Sequence, residues 1–187
     1  MNSRVIGYHG CDLKVANEVV ARKTKLTPGK ERYDWLGTGV YFWEDDPDLA
    51  LNWARHTARM RPELIQTPAV IGAVIDLKDC LNLVQTGASQ ILCATYRDLV
   101  QEVERAGGQM PVNESAERRF LDHAVFETLH ELRRLQGLAP FPSVRALFQS
   151  GEPVFPGSGI HKWDHIQICV RDLSFIEGCF LASGPPA

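Results

Sequence analysis

An imidazole, a phenol ring and a carboxylate stand in three separated pieces of this chain. The first is Tyr8-His9-Gly10-Cys11, at the end of a short apolar run. The second is the stretch from Tyr33 to Trp43, which holds Gly37, Thr38, Gly39, Val40, Tyr41 and Phe42, and the third is Gly151-Glu152-Pro153-Val154-Phe155. The middle piece sets aromatics and two glycines ahead of a strand-forming tail, an unusual composition for an ordinary turn. Gly37 and Gly39 let the backbone pass close to a ligand or take a positive φ at little steric cost, and Val40-Tyr41-Phe42 then enters a strand that can present a ring. A planar ligand is implied. Taken alone, His9 reads as a satisfied strand-end histidine and Glu152 as a turn residue before Pro153; it is their occurrence together, in this order, that reads as a site.

The elements that must position these residues follow from local pattern. Arg4 to Tyr8 reads as a short strand, and Gly10 frees the backbone to turn so that His9 faces a cleft. Asp12 then caps a helix carrying Val15, Ala16, Val19 and Val20 on one face. Residues 22–32 are basic, broken by Thr27-Pro28-Gly29, and read as a solvated surface loop. After Trp43, the acids around Pro47 start a helix whose stripe is Leu49, Ala50, Trp53, Ala54 and Thr57. Ala69 to Leu77 is an apolar run of central-strand length. Ser89 to Arg105 and Ser115 to Gln136 read as helices, the second with His123, Glu127 and His130 on what reads as a polar face without zinc-helix spacing. Ser143 to Phe148, Val154-Phe155, His165 to Val170 and Phe175 to Leu181 read as antiparallel strands. The expectation is a single α+β domain over residues 1–182, with residues 183–187 as a disordered tail.

Composition narrows the partners. With 187 residues, 44% hydrophobic and 23% charged, the chain falls among soluble globular proteins, and a net charge of −3 gives no global field to hold nucleic acid or an anionic membrane. The first residues lack the apolar core of a signal peptide, and no window approaches the roughly 18 apolar residues of a spanning helix, so a cytoplasmic protein with no membrane partner is expected. Cys11, Cys80, Cys93, Cys169 and Cys179 are odd in number and form no C-x-x-C pair, which signals neither a disulfide framework nor a zinc site. The glycine pair lacks the third glycine and following helix of a dinucleotide-binding turn, and no phosphate-binding glycine loop occurs elsewhere.

The ordered trio resembles the ADP-ribosyltransferases of the diphtheria-toxin-like and poly(ADP-ribose)-polymerase-like branch, which carry a His from a Y-H-G element, a Tyr from a G-x-G-[IV]-Y-F element and a Glu from a later strand. The resemblance implies split antiparallel β-sheets with flanking helices, NAD as co-substrate, and no metal. It implies that His9 holds the adenosine-side ribose, Gly10 bonds the carboxamide through its main chain, Tyr41 stacks on nicotinamide and Trp53 completes the sandwich, although Trp53 reads equally as a core anchor. Glu152 would bond the nicotinamide-ribose 2′-hydroxyl and stabilise the oxocarbenium ion. Gln167, on the next strand, strengthens the match. Cys11 stands where the family has Ser or Thr and would flank the NAD, and Ser150, two positions before Glu152, disfavours arginine as acceptor.

The activity so implied is mono-ADP-ribosyl transfer to a protein or nucleic acid by a bacterial toxin or defence enzyme, with an antitoxin or other inhibitor protein as a further partner. Two alternatives remain open at this point: an NAD glycohydrolase, and a catalytically silent module that binds NAD or ADP-ribose.

Overall fold

The computed structural model describes residues 4–29 and 31–183. β3 (Pro68–Asp76), next to one edge of the sheet, is buried for most of its length, as its unbroken apolar run requires. β1 (Arg4–Asp12) pairs antiparallel with β3 from Arg4↔Asp76 to Asp12↔Pro68, and β7 (Ile176–Ser183) covers the other edge of β3. On the far side of β1, β2 (Val40–Glu44) pairs with β6 (His165–Val170), β6 with β5 (Ser143–Phe148), and β5, in parallel, with the short β4 (Leu81–Asn82). The order across the sheet is β4-β5-β6-β2-β1-β3-β7. An α+β architecture is therefore present.

The expected two sheets are hydrogen-bonded into one, but the join is narrow. β1 and β2 pair only at Gly7↔Glu44 and Tyr8↔Trp43, after which the strands part. Asp45 N–H donates to the Ile6 carbonyl and Leu13 N–H to the Thr67 carbonyl. By the alternation of an antiparallel ladder, the main-chain groups of Ile6, Tyr8 and Gly10 turn toward β2, while those of His9 and Cys11 turn toward β3. Gly10 thus directs its amide and carbonyl at the gap.

Helices cover both faces. α1 (Leu13–Val20) is capped by Asp12, whose carboxylate accepts from Lys14 N–H, and buries Ala16 and Val19 in a core with Val40, Phe42 and Ile71. On the opposite face α2 (Pro47–Met60), capped by Asp46, lays Ala50 and Ala54 against Gly10. α4 (Phe120–Leu135) packs Phe126 and Leu129 on Val144, Ala146 and Cys169, with α3 (Gln90–Arg105) beside it. Tyr41 joins the cluster under α4 and Trp43 the cluster under α2. Two positions apart on β2, they share a face, so the two helices flank one groove over that strand.

Four expectations need correction. α4 begins at Phe120, not Ser115, because Ser115 Oγ closes a turn on Glu117 and Arg118 N–H while Asn113 Oδ1 accepts from Leu121 and Asp122 N–H. Val154-Phe155 forms no strand; Pro153 makes only an isolated bridge to His161. The His123, Glu127 and His130 face points inward: His123 Nδ1 bonds the Asp34 carbonyl, and His130 is fully buried. Ser183 ends β7, and the rest of the expected tail, 184–187, lies outside the described residues, as does Lys30 of the basic loop.

A methyl group at Gly10 would meet the Ala50 carbonyl at 2.3 Å, a backbone contact that cannot swing away. Gly10→Ala is expected to push α2 from the sheet and cost about 1–3 kcal/mol, the usual range for overpacking. Urea unfolding followed by far-UV circular dichroism would check it, an unchanged midpoint counting against direct helix-on-strand packing.

Candidate active site

His9 stands where β1 and β2 separate. Its Nδ1 lies 2.8 Å from the Tyr41 carbonyl. A carbonyl only accepts, so Nδ1 carries the proton and Nε2 is left as a lone pair. The ring is half-buried and tilts against Phe42 at 5.7 Å. Burial lowers its pKa, partly opposed by the bond to the Tyr41 carbonyl, which favours a neutral ring near pH 7.

Tyr41 is fixed from above by the glycine stretch. Its hydroxyl accepts from Leu36 N–H at 2.9 Å and donates to the Gly37 carbonyl at 2.8 Å. Gly37 has φ +83, and a Cβ there would lie 2.6 Å from Glu127 Oε1. Both demands select glycine. At Gly39 a Cβ would meet Cys169 Sγ at 2.4 Å. Glu127 on α4 accepts from Thr38 N–H at 2.7 Å and pairs with both terminal nitrogens of Arg171, whose Nη1 also donates to the Thr38 carbonyl. Burial alone would raise the Glu127 pKa, but the Arg171 and Thr38 hydrogen bonds and the Arg171 charge carry it down to about 2. Asp34, in the same stretch, is pushed up to about 6 by burial and by Glu31.

Aromatic rings line the groove between α2 and α4. Trp53 on α2 is 6.0 Å from Trp43, which is 6.3 Å from His165; His165 is 5.3 Å from Phe148, and Phe148 is 5.2 Å from Trp35. His165 Nδ1 donates to the Trp163 carbonyl. Gln167 on β6 lies opposite Trp43, and its Oε1 accepts from the Trp35 indole at 2.7 Å. Trp43, His165, Gln167 and Trp35 lie on the α2 and α4 side of the sheet, whereas His9, paired with Ile71 and with its ring packed on Phe42, lies on the α1 side. The opening between β1 and β2, to which Gly10 turns its main chain, separates them.

The expected residues divide accordingly. His9 and Tyr41 are brought together, Gly10 directs its main chain at the gap although it is itself buried, and Trp53 lines the groove 41% exposed. Cys11 does not join them. Its side chain sits in the core with Ala16 and Ile71, where burial pushes the thiol up to about 12. Glu152 is carried on the loop between β5 and β6, not on a strand; its side chain is 84% exposed and meets Lys162 at 3.2 Å. The strand position facing the groove belongs to Gln167. Trp35 and Phe148 also emerge as lining residues; the alternation along Ser143 to Phe148 was the signal that could have placed Phe148, whereas Trp35 stands in a stretch with no strand period. Among the described residues, no group of three His, Cys, Asp or Glu side chains is arranged to hold a metal, and no helix is long and apolar enough to cross a membrane.

No protein-family model matches the chain, and no solved structure does. Over 72 residues it is 32% identical to the uncharacterized protein MJ0359 of Methanocaldococcus jannaschii, a match spanning 38% of this chain and 33% of that protein.

The depressed pKa of Glu127 carries a pH signature. Its folded value of about 2 lies below the ordinary 4.5, so its stabilisation is complete above pH 4.5 and is lost as pH falls toward 2. Glu127→Gln is therefore expected to be less stable than the parent at neutral pH and to flatten the fall in stability between those values. Thermal unfolding from pH 7 to pH 2 would show it; parallel curves for both proteins would mean that Glu127 does not titrate with folding.

Proposed function

We propose that the chain binds NAD in the gap between β1 and β2, cleaves the bond between nicotinamide and ribose, and transfers ADP-ribose to a macromolecular acceptor. The observation that carries this reading is the His9 ring bridging to the Tyr41 carbonyl at the point where the sheet opens. It joins two of the three sequence pieces at the opening of the sheet, with the Trp43 and Trp53 rings on the α2 side of that opening. In this reading the Gly10 main chain bonds the carboxamide, Tyr41 and Trp53 clamp the base, and His9 Nε2 accepts from a ribose hydroxyl. Stacking on such rings contributes about 0.5–1.5 kcal/mol beyond buried area.

Departure of neutral nicotinamide leaves positive charge on the ribose, which a carboxylate stabilises far better than an amide. Glu152 is the assigned carboxylate. Its exposed side-chain pairing with Lys162 is worth about 0–1 kcal/mol. The backbone around it is held by Lys162 N–H on the Glu152 carbonyl and Trp163 N–H on the Ser150 carbonyl, so reaching a bound dinucleotide requires the loop to move. A second reading, a module that binds NAD or ADP-ribose without turnover, is favoured by one observation: Glu152, the assigned acid, stands on an exposed loop between β5 and β6.

Release of nicotinamide from NAD by purified protein separates the readings. In the first, Glu152→Gln keeps NAD affinity and loses about 10²–10³ in kcat, as for other preorganised electrostatic groups, while Tyr41→Ala weakens binding. Parental turnover in folded Glu152→Gln would sink the carboxylate assignment. NAD binding with no release by the parent, in the absence and in the presence of added protein and nucleic-acid acceptors, would establish the second reading.

A further inference from the structure

We propose that the macromolecule engaged beside this groove is a single-stranded nucleic acid, held chiefly by stacking on a surface of alternating rings and guanidinium planes. Arg119 lies over Phe148 at 4.8 Å and over Trp35 at 5.2 Å, and Arg118 over Tyr33 at 4.7 Å and over Phe120 at 5.2 Å. These two arginines extend a chain of ring contacts that begins at the exposed Trp53 and passes through the buried Trp43 and the half-buried His165 and Phe148 to Trp35, running from α2 across β2, β6 and β5 to the start of α4. At the flank of the row Trp163 is 58% exposed, and it is attached through the bond from His165 to its carbonyl.

Unpaired bases are recognised by such surfaces because every base has a π-face that stacks on aromatic rings and on arginine planes, whereas paired bases in a duplex hide theirs. Acids lie close as well. Glu114 pairs with Arg118 at 2.8 Å, Asp122 is 3.6 Å from Arg119, and Lys162 is taken by Glu152. Phosphate attraction is therefore partly pre-empted, and with a net charge of −3 the protein supplies no general field. Stacking must provide most of the affinity. The inference rests on the proposed transfer reaction only in making the strand its acceptor; binding itself needs neither NAD nor turnover.

The test is fluorescence anisotropy of 5′-labelled 12-nucleotide oligo-dT and oligo-U against a 12-base-pair duplex, with the intact protein. Single strands are expected to bind more tightly than duplex, with log K falling against log salt by a slope no steeper than about −1.4, the value for two neutralised phosphates. Trp163→Ala should weaken single-strand binding about tenfold, and Arg119→Lys, which keeps the charge and loses the plane, should weaken it as well. Trp163 is exposed enough that its replacement spares the fold. No single-strand binding up to about 100 μM, the weak end of non-specific affinity, would overturn the inference. So would equal affinity for duplex, or indifference to both variants, or label from NAD that only protease removes. Nicotinamide release without oligonucleotide binding sinks this inference alone, and oligonucleotide binding without nicotinamide release sinks the transferase reading alone.

Discussion

Only two pairs of residues align β1 with β2 in the ladder. A strand that leaves its neighbour exposes main-chain groups that must find other partners, since a buried unpaired carbonyl or amide costs as much as a lost hydrogen bond. The Tyr41 carbonyl finds the His9 ring, a side-chain donor standing in for the missing ladder bond. Gly10, one residue farther along, keeps its main chain turned to the same opening, and its lack of a side chain lets α2 close over it. The site is thus a defect in a sheet, not a loop placed on one, and its walls are as rigid as β3 and β6 make them.

The other wall needs a different device, because residues 31–39 form neither helix nor strand that could hold Tyr41 in place. Glu127 and Arg171 provide it by gripping the amide and carbonyl of Thr38 from opposite partners, α4 and the end of β6. Arg171 is only 11% exposed. Removing such a charge from water costs several kcal/mol, which the pairing with Glu127 and the Thr38 carbonyl must first offset. What the pair adds is position: two glycines that could adopt many conformations are held in one, with the Tyr41 hydroxyl bonded to Leu36 and Gly37 beneath.

Much of this was legible because apolar period and caps act locally. Asp12 and Asp46 cap their helices, and the run from Ala69 is a buried strand as its composition requires, although it lies next to the edge of the sheet rather than at its centre. His9 and Tyr41 were legible for a related reason, each being tied to glycines that only a close approach explains. The acid was not. Val154 and Phe155 have the composition of a strand, but Pro153, Pro156 and the three glycines Gly151, Gly157 and Gly159 leave them in a loop closed by Asp164, which accepts from Ser150 and His161 N–H. His123, Glu127 and His130 misled for the opposite reason: polar side chains at helical spacing read as a wet face, and the partners that bury them, Asp34, Thr38 and Arg171, come from 44 to 89 residues away.

That loop bears on how the proposed chemistry could proceed. Gln167 is the residue the strand offers to the groove, and its carbonyl oxygen is already taken by the Trp35 indole, leaving the amide NH₂. An NH₂ group can orient a ribose hydroxyl, but its positive end opposes an oxocarbenium ion. Charge stabilisation must then come from an acid delivered by another element. Asp164 anchors the loop at Ser150 and His161, while Glu152 between those anchors extends into solvent. A carboxylate so placed contributes to the transition state only after the loop folds inward, so the cost of ordering the loop is added to the barrier unless a bound partner offsets it. On this argument, NAD alone would be cleaved slowly, and an acceptor lying against the loop would raise the rate by holding Glu152 at the ribose.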